Sequence, residues 1–218
     1  MKTALTVAPS PRISPPISDS YSYFDHYSRV VAELPYADIE RVVDVLYGAY
    51  LQERRVFLFG NGGSAALASH LACDLGKGTA RPDAPDKRFR VLSLTDNIPL
   101  ITAWANDTSY EQIFAEQLRN FVQEGDIAVG ISGSGSSRNV LLGLQTAREA
   151  GAVTIGLTGF KGGRMPDFCD LCIIISSDNM QIIEDLQLGI AHALFTVLRH
   201  RITQERFDDK ASSARMAA

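Results

Sequence analysis

Residues 56–64 read VFLFGNGGS, an apolar run that ends in a cluster of glycines. The run at 56–59 has the length and composition of a buried β-strand. The pattern from about 64 to 75 is typical of a helix. A strand that passes through a glycine-rich turn into a helix is the first half of a βαβ unit, in which the next strand runs parallel to the first. This stretch therefore predicts an α/β fold with a parallel sheet.

The same alternation of short apolar strands with helices continues along the chain. Further strands are predicted at 90–94, 126–132, 153–157 and 171–175, and further helices at 20–34, 37–53, 98–105, 110–123, 137–150 and 180–204. Strands that are apolar throughout are typical of a parallel sheet covered on both faces. We therefore predict an α/β three-layer sandwich with a five-stranded, parallel, flavodoxin-like sheet and N-terminal helices.

One domain accounts for most of the chain, since 218 residues are too few for two ordinary domains. We predict a disordered arm at 1–18, where proline and serine are frequent, a domain at 19–206 and a disordered tail at 207–218.

Composition argues against several functional classes. The net charge of −4 and the absence of a long lysine or arginine cluster argue against a nucleic-acid partner. No apolar run approaches the roughly 20 residues of a membrane span, and the N-terminus does not have the pattern of a secretory signal. We expect a cytoplasmic protein that binds neither nucleic acid nor membrane. Cys169 and Cys172 form an isolated C-x-x-C pair, for which the sequence favours a structural role over a metal or redox role.

Two glycine- and serine-rich loops, GNGGS at 60–64 and SGSGSS at 132–137, each connect a strand to a helix. Glycines let backbone N–H groups approach a ligand closely, and a helix N-terminus attracts anions. Each loop alone is equally consistent with a tight turn in which a serine caps the helix. Two such loops in one short chain favour an anionic ligand, and neither is a Walker A motif.

Five segments then resemble the phosphoheptose isomerase branch of the SIS (sugar isomerase) family. They are FLFGNGGSAALASHLACDL, TAWANDTSYEQIFAEQL, GDIAVGISGSGSS, TIGLTGFKGG and QIIEDLQLGIAH, and the similarity extends from about residue 20 to 204. The resemblance implies a homotetramer with active sites between subunits and a phosphorylated sugar as substrate. It also implies two sets of contact residues. For the phosphate these are Ser132, Gly133, Ser134 and Ser137. For the sugar they are Asn61, Gly62, Gly63, Ser64, Asn106, Asp107 and Glu184.

The family also places a histidine and a glutamate on one helix, and a glutamine and a histidine on the last, which are linked to a zinc site and to acid–base catalysis. The matching residues here are His70, Asp74, Glu184 and His192, so this chain departs from the family at Asp74 and Glu184. Imidazole nitrogens and carboxylate oxygens still suit zinc. The resemblance thus implies Zn²⁺ as cofactor and Asp74 with His192 as the catalytic pair. Without the resemblance, the sequence favours a core role for His192 and a capping or surface role for His70.

The function that the resemblance implies is aldose–ketose isomerisation of a sugar phosphate, sedoheptulose 7-phosphate to D-glycero-heptose 7-phosphate. One alternative is a non-catalytic SIS module that senses sugar phosphates or bridges proteins, like the replication-initiator-associating relatives, which do not have acid–base residues at the positions of Asp74 and His192. Another alternative is an isomerase of a different sugar phosphate. Both remain open at the level of sequence.

Overall fold

A computed structural model places the strands in one five-stranded, all-parallel sheet. The structure describes residues 17–216, and residues 205–216 through their backbone alone. The chain divides into two compact units, residues 1–33 and residues 34–218, and the sheet belongs to the second.

The first unit contributes helix α1 (Ser20–Ala32). A capping box starts this helix: the side chain of Asp19 accepts a hydrogen bond from the Ser22 N–H at 2.8 Å, and the Ser22 hydroxyl accepts one from the Asp19 N–H at 3.1 Å. Two backbone donors that have no partner inside the helix are thereby satisfied.

The second unit contains all five strands and the other six helices found among the described residues. The strands are β1 (Arg55–Gly60), β2 (Arg90–Ser93), β3 (Ile127–Ser132), β4 (Val153–Gly159) and β5 (Leu171–Ile175). The helices are α2 (Tyr36–Leu51), α3 (Gly63–Cys73), α4 (Ile98–Asp107), α5 (Ala115–Phe121), α6 (Arg138–Glu149) and α7 (Met180–Met216). The strand order is β2-β1-β3-β4-β5, which is the flavodoxin-like order with its reversal between β1 and β3. The predicted fold class is confirmed.

Burial on the two faces of β1 explains the three layers. Phe57 and Phe59 join an apolar cluster with residues of α5 and α6, whereas Leu58 lies in the core under α2, α3 and α7. Alternate residues of a strand point to opposite faces, so a run of apolar residues is buried on both. The helices thus cover the faces of the sheet, and the loops lie at the ends of its strands.

The predicted helix at 110–123 is divided into two pieces, a 3₁₀ turn at Tyr110–Gln112 and α5. Between them, the consecutive residues Ile113 and Phe114 are both buried in the apolar cluster. The predicted helix is therefore interrupted at the point where the chain enters the core.

At the carboxyl end of the chain, the last helix is longer than predicted. Helix α7 continues to Met216 instead of ending near residue 204, so the backbone is helical through most of the segment predicted as a tail. Apart from residues 17 and 18, the predicted arm lies outside the described residues. Among the helices that the structure describes, none is long and apolar enough to cross a membrane.

Candidate active site

The two glycine- and serine-rich loops lie side by side at the carboxyl end of the sheet. The first follows β1 and the second follows β3, which are neighbours with Gly60 in register with Ile131. A Cβ on Gly60 would lie 2.7 Å from the Ile131 carbonyl oxygen, so only glycine allows this approach. In doubly wound sheets, ligands bind where the strand order reverses. Both loops border that crevice.

Three serine hydroxyls converge in the second loop, which we call the serine loop (residues 132–137). The Ser132 Oγ lies 3.1 Å from the Ser137 Oγ and 3.4 Å from the Ser134 Oγ. Ser137 is also the N-cap residue of α6, and its side chain makes no capping hydrogen bond. A hydroxyl group can rotate to act as a donor or as an acceptor, and the N-terminal end of α6, where the serine loop lies, favours negative charge. The serine loop therefore has the chemistry of a phosphate site.

The loop after β4 supports the serine loop through backbone contacts. Gly135 has a φ of +63°, and a Cβ there would lie 2.0 Å from the Gly162 carbonyl oxygen. Gly163 has a φ of +56°, and a Cβ there would lie 2.4 Å from the Ser134 carbonyl oxygen. The Arg164 N–H also donates to the Gly135 carbonyl at 2.9 Å. The close packing of these two loops therefore requires glycine both in SGSGSS and in TGFKGG.

Replacing Gly135 with alanine is expected to destabilise the protein strongly, because the new Cβ meets backbone and the residue must keep a left-handed conformation. We expect the free energy of unfolding, measured by urea denaturation, to fall by at least about 2 kcal/mol. The matched control is Gly48→Ala within α2, where a Cβ meets nothing within 4 Å. Helix propensity predicts a gain of up to about 1 kcal/mol for this control. If Gly135→Ala and wild type unfold at the same urea concentration, the close packing of the two loops is contradicted.

An amide network that the sequence analysis missed joins the two loops. Asn61 and Asn139 exchange two side-chain hydrogen bonds of 2.8 Å, and the Tyr110 hydroxyl donates to the Asn61 Oδ1 at 2.9 Å. The Val140 N–H donates to the Asn139 Oδ1, which settles the orientation of both amides. Asn139 is the second residue of α6, two positions after the serine loop, and nothing else in the local sequence points to it. Asn61 of the first loop is therefore held by a residue of α6 and by a residue of the 3₁₀ turn Tyr110–Gln112.

His70, Asp74 and His192 come together on the adjoining helices α3 and α7. The Nε2 atoms of the two histidines are 3.0 Å apart, and the His70 Nε2 lies 3.4 Å from the Asp74 Oδ2. His70 and Asp74 share a helix face, as their spacing predicts, and α3 passes at Asp74 into a π-helical turn (Asp74–Gly78). The side chains of His70 and Asp74 are 50% and 25% exposed, so ligands have access to them.

This cluster fits zinc by its donor atoms and their spacing. One ligand atom from each of the three residues lies within 4.8 Å of the others. Zinc bonds of about 2.0–2.2 Å in a tetrahedron separate the ligand atoms by roughly 3.3 Å, close to the two distances above. Two imidazoles and a carboxylate are a common protein ligand set for this ion.

Glu184, the fourth predicted ligand, lies apart from the cluster. Its Oε1 is 3.2 Å from the position of a Cβ on Gly63, at the start of α3. His192 lies eight residues, or about 12 Å, farther along α7. Of the four predicted zinc ligands, the structure brings three together and places Glu184 beside the glycine loop, where its predicted contact is with the sugar.

The remaining residues predicted to contact the sugar lie in the glycine loop and at the end of α4. Gly62 caps α3 with a φ of +55°, and the Ser64 N–H donates to the Asn61 carbonyl at 3.0 Å. Asn106 and Asp107 end α4 and are exposed, and the Asn106 Nδ2 donates to the Asp107 Oδ1 at 2.8 Å. Among the described contacts, no side-chain hydrogen bond joins that pair to either loop.

A doubly wound fold with two such loops at its reversal point is the architecture of a sugar isomerase domain, and the family model described as the SIS domain matches residues 22–159. The phosphoheptose isomerase of Clostridium acetobutylicum is 33% identical over 171 residues, covering 78% of this chain and 86% of that protein. That of Paramagnetospirillum magneticum is 39% identical over 155 residues, covering 71% and 79%. A solved structure of a phosphoheptose isomerase from Francisella tularensis superposes with a TM-score of 0.76 at 27% identity, covering 83% and 96%. The chain belongs to the phosphoheptose isomerase branch of the SIS-domain family.

Proposed function

We propose that this chain isomerises sedoheptulose 7-phosphate to D-glycero-heptose 7-phosphate. As a member of its family it is an enzyme, a sugar-phosphate isomerase. The observation that carries the proposal is the cluster of His70, Asp74 and His192 on the two helices that start beside the phosphate-type loops. It supplies acid–base groups within reach of a sugar whose phosphate is held at the serine loop.

The separation between the loops and the cluster supports a long substrate. His70 lies seven residues after Gly63, which is about 10 Å along α3. The glycine loop at the start of α3 lies beside the serine loop that we assign to the phosphate, so a phosphate held there must be connected to the reacting carbonyl by an extended carbon chain. An open-chain heptose phosphate meets this requirement better than a triose phosphate does.

The reaction moves a proton between two neighbouring carbons of the sugar. A base removes the proton from the carbon next to the carbonyl, and an acid returns one to the adjacent carbon. We assign these roles to Asp74 and His192. Asp74 Oδ2 lies close to His70, and His70 contacts His192, so the two groups act on one small region. A positioned acid–base pair typically accelerates such a step by about 10²–10⁴-fold.

His70, Asp74 and His192 would also hold a zinc ion, without Glu184, whose carboxylate lies beside Gly63. A zinc ion bound there would supply Lewis-acid polarisation of the sugar carbonyl and its neighbouring hydroxyl. A carboxylate engaged by a cation is a weaker base. The same holds for an imidazole nitrogen, so a bound water performs more of the proton transfer whenever Asp74 and His192 both serve as ligands.

Replacing His70 with alanine is expected to abolish stoichiometric zinc binding while the protein stays folded, because the sheet and α3 do not depend on the metal. Elemental analysis after zinc reconstitution measures the metal, and circular dichroism checks the fold. His200→Ala is the matched control, since His200 is an exposed histidine on α7 outside the cluster. If the wild-type protein takes up no transition metal, the three residues form a polar pocket and not a metal site.

We also place the protein in the cytoplasm as a homotetramer with active sites between subunits. The exposed cluster of His70, Asp74 and His192 supports this assembly, because a second subunit would enclose it. Leu188 supports it as well, since this apolar side chain lies between Glu184 and His192 on α7 and is 40% exposed.

Proton exchange in D₂O with a panel of phosphorylated ketoses tests the function. We expect deuterium incorporation next to the carbonyl with sedoheptulose 7-phosphate, and none with the same ketoses lacking phosphate. Incorporation only with another ketose phosphate would keep the isomerase and change its substrate. Binding of sugar phosphates without exchange would instead establish a sensing or bridging module.

A further inference from the structure

Cys169 and Cys172 lie outside the proposed active site and have no role in the proposed reaction. Cys169 follows the 3₁₀ turn Met165–Phe168, and Cys172 is the second residue of β5. Both thiols are free and half-buried. They lie near the amino end of β5, at the edge of the sheet away from the serine loop. What they do is therefore a separate question from catalysis.

The fold brings the two side chains to one spot on one face of the sheet. Gly156 of β4 is in register with Cys172, and paired residues of parallel strands point to the same face. The Cys169 Sγ lies 2.8 Å from the position of a Cβ on Gly156. It occupies the space that a side chain at Gly156 would fill, about one strand spacing of 4.8 Å from Cys172.

A bend at Asp170 holds this arrangement. The Asp170 N–H donates to the Thr154 carbonyl at 2.9 Å, and the Asp170 Oδ2 accepts from the Thr154 N–H at 2.8 Å and from its hydroxyl at 2.9 Å. This tether to β4 folds the preceding Cys169 back over the sheet. The two cysteines are thus adjacent because of backbone contacts and do not depend on a flexible loop.

The thiols also interact with each other unequally. A hydrogen bond from Cys169 lowers the pKa of Cys172, and the same bond, together with burial, raises the pKa of Cys169. The thiolate is the nucleophilic form of cysteine, so Cys172 is the more reactive partner. Among the described residues, the two cysteines belong to no group of three metal-ligand side chains, which favours redox chemistry over metal binding.

We propose that Cys169 and Cys172 are a redox pair that hydrogen peroxide converts to an intrachain disulfide. The Cys172 thiolate attacks one peroxide oxygen, the O–O bond breaks, and a sulfenic acid and hydroxide form. The Cys169 sulfur then attacks the sulfenic sulfur, the S–S bond forms, and the S–O bond breaks with loss of water. The proton released when Cys172 ionised converts the hydroxide to a second water. Two thiols lose two electrons and two protons, and the peroxide is reduced to two waters.

The test uses full-length protein carrying Cys73→Ser, which removes the third and exposed thiol. After peroxide treatment and alkylation, we expect a mass lower by two hydrogens, no alkylated cysteine, and recovery of both thiols with dithiothreitol. Adding Cys169→Ser should stop the reaction at a sulfenic acid on Cys172 that dimedone traps. Adding Cys172→Ser should leave Cys169 labelled more slowly than Cys172 is in the Cys169→Ser variant, because burial still raises the pKa of the Cys169 thiol.

Wild-type protein provides the internal comparison, since its exposed Cys73 reports that peroxide was effective. If Cys169 and Cys172 both remain alkylatable at a peroxide dose that oxidises Cys73, the redox pair is refuted. Disulfides between chains in place of the intrachain bond would refute it as well. Loss of sugar-phosphate isomerisation or binding bears on neither outcome, because the thiol count is read independently of activity.

Discussion

The His192→Ala variant is expected to turn over two to four orders of magnitude more slowly than wild type, while its affinity for a sugar phosphate stays within a fewfold. Removing one member of an acid–base pair costs about 10²–10⁴ in rate. The ground-state complex is held by phosphate contacts remote from the reacting carbons, so binding should survive. Proton exchange in D₂O measures turnover, and calorimetry measures affinity.

His200→Ala is again the control, since it removes an imidazole from the same helix outside the cluster. It should exchange protons at the wild-type rate. Normal turnover of His192→Ala would leave the family assignment in place and refute our choice of the catalytic pair. If His192→Ala loses affinity as well as turnover while His200→Ala keeps both, the histidine also binds the substrate in the ground state.

Replacing Ser134 and Ser137 together with alanine is expected to weaken sugar-phosphate binding at least tenfold. Each hydroxyl that donates to a charged phosphate oxygen contributes about 1.5–3 kcal/mol. In the ligand-free protein both hydroxyls lie within 3.4 Å of the Ser132 Oγ, so they already converge at one point. Isothermal titration calorimetry with a sugar phosphate measures the loss.

Ser136→Ala tests whether the effect is specific to the converging hydroxyls. Ser136 is exposed in the same loop, and its Oγ donates to the Ser134 carbonyl at 3.4 Å instead of joining the cluster. Its affinity should remain close to that of wild type. Unchanged affinity in the double variant would place the phosphate elsewhere on the molecule.

The network at Asn61 illustrates how a contact escapes sequence analysis. The family resemblance implied that Asn61 contacts the sugar, but its partner Asn139 is 78 residues away and is the second residue of an ordinary amphipathic helix. No local pattern distinguishes an asparagine that pairs across two loops from one that faces solvent. The strand order that places the two loops side by side is what joins them.

The sequence by itself determined the α/β class, the five strands, the two ligand-type loops and the shared helix face of His70 and Asp74. These features depend on short-range physics, namely the periodicity of side chains on strands and helices and the conformational freedom of glycine. Only the tertiary structure decided that His192, 122 residues beyond His70, completes the cluster. It also decided that Glu184 lies beside Gly63. Such contacts depend on how helices pack across the sheet, and that packing arises from burial over the whole chain, which no local pattern encodes.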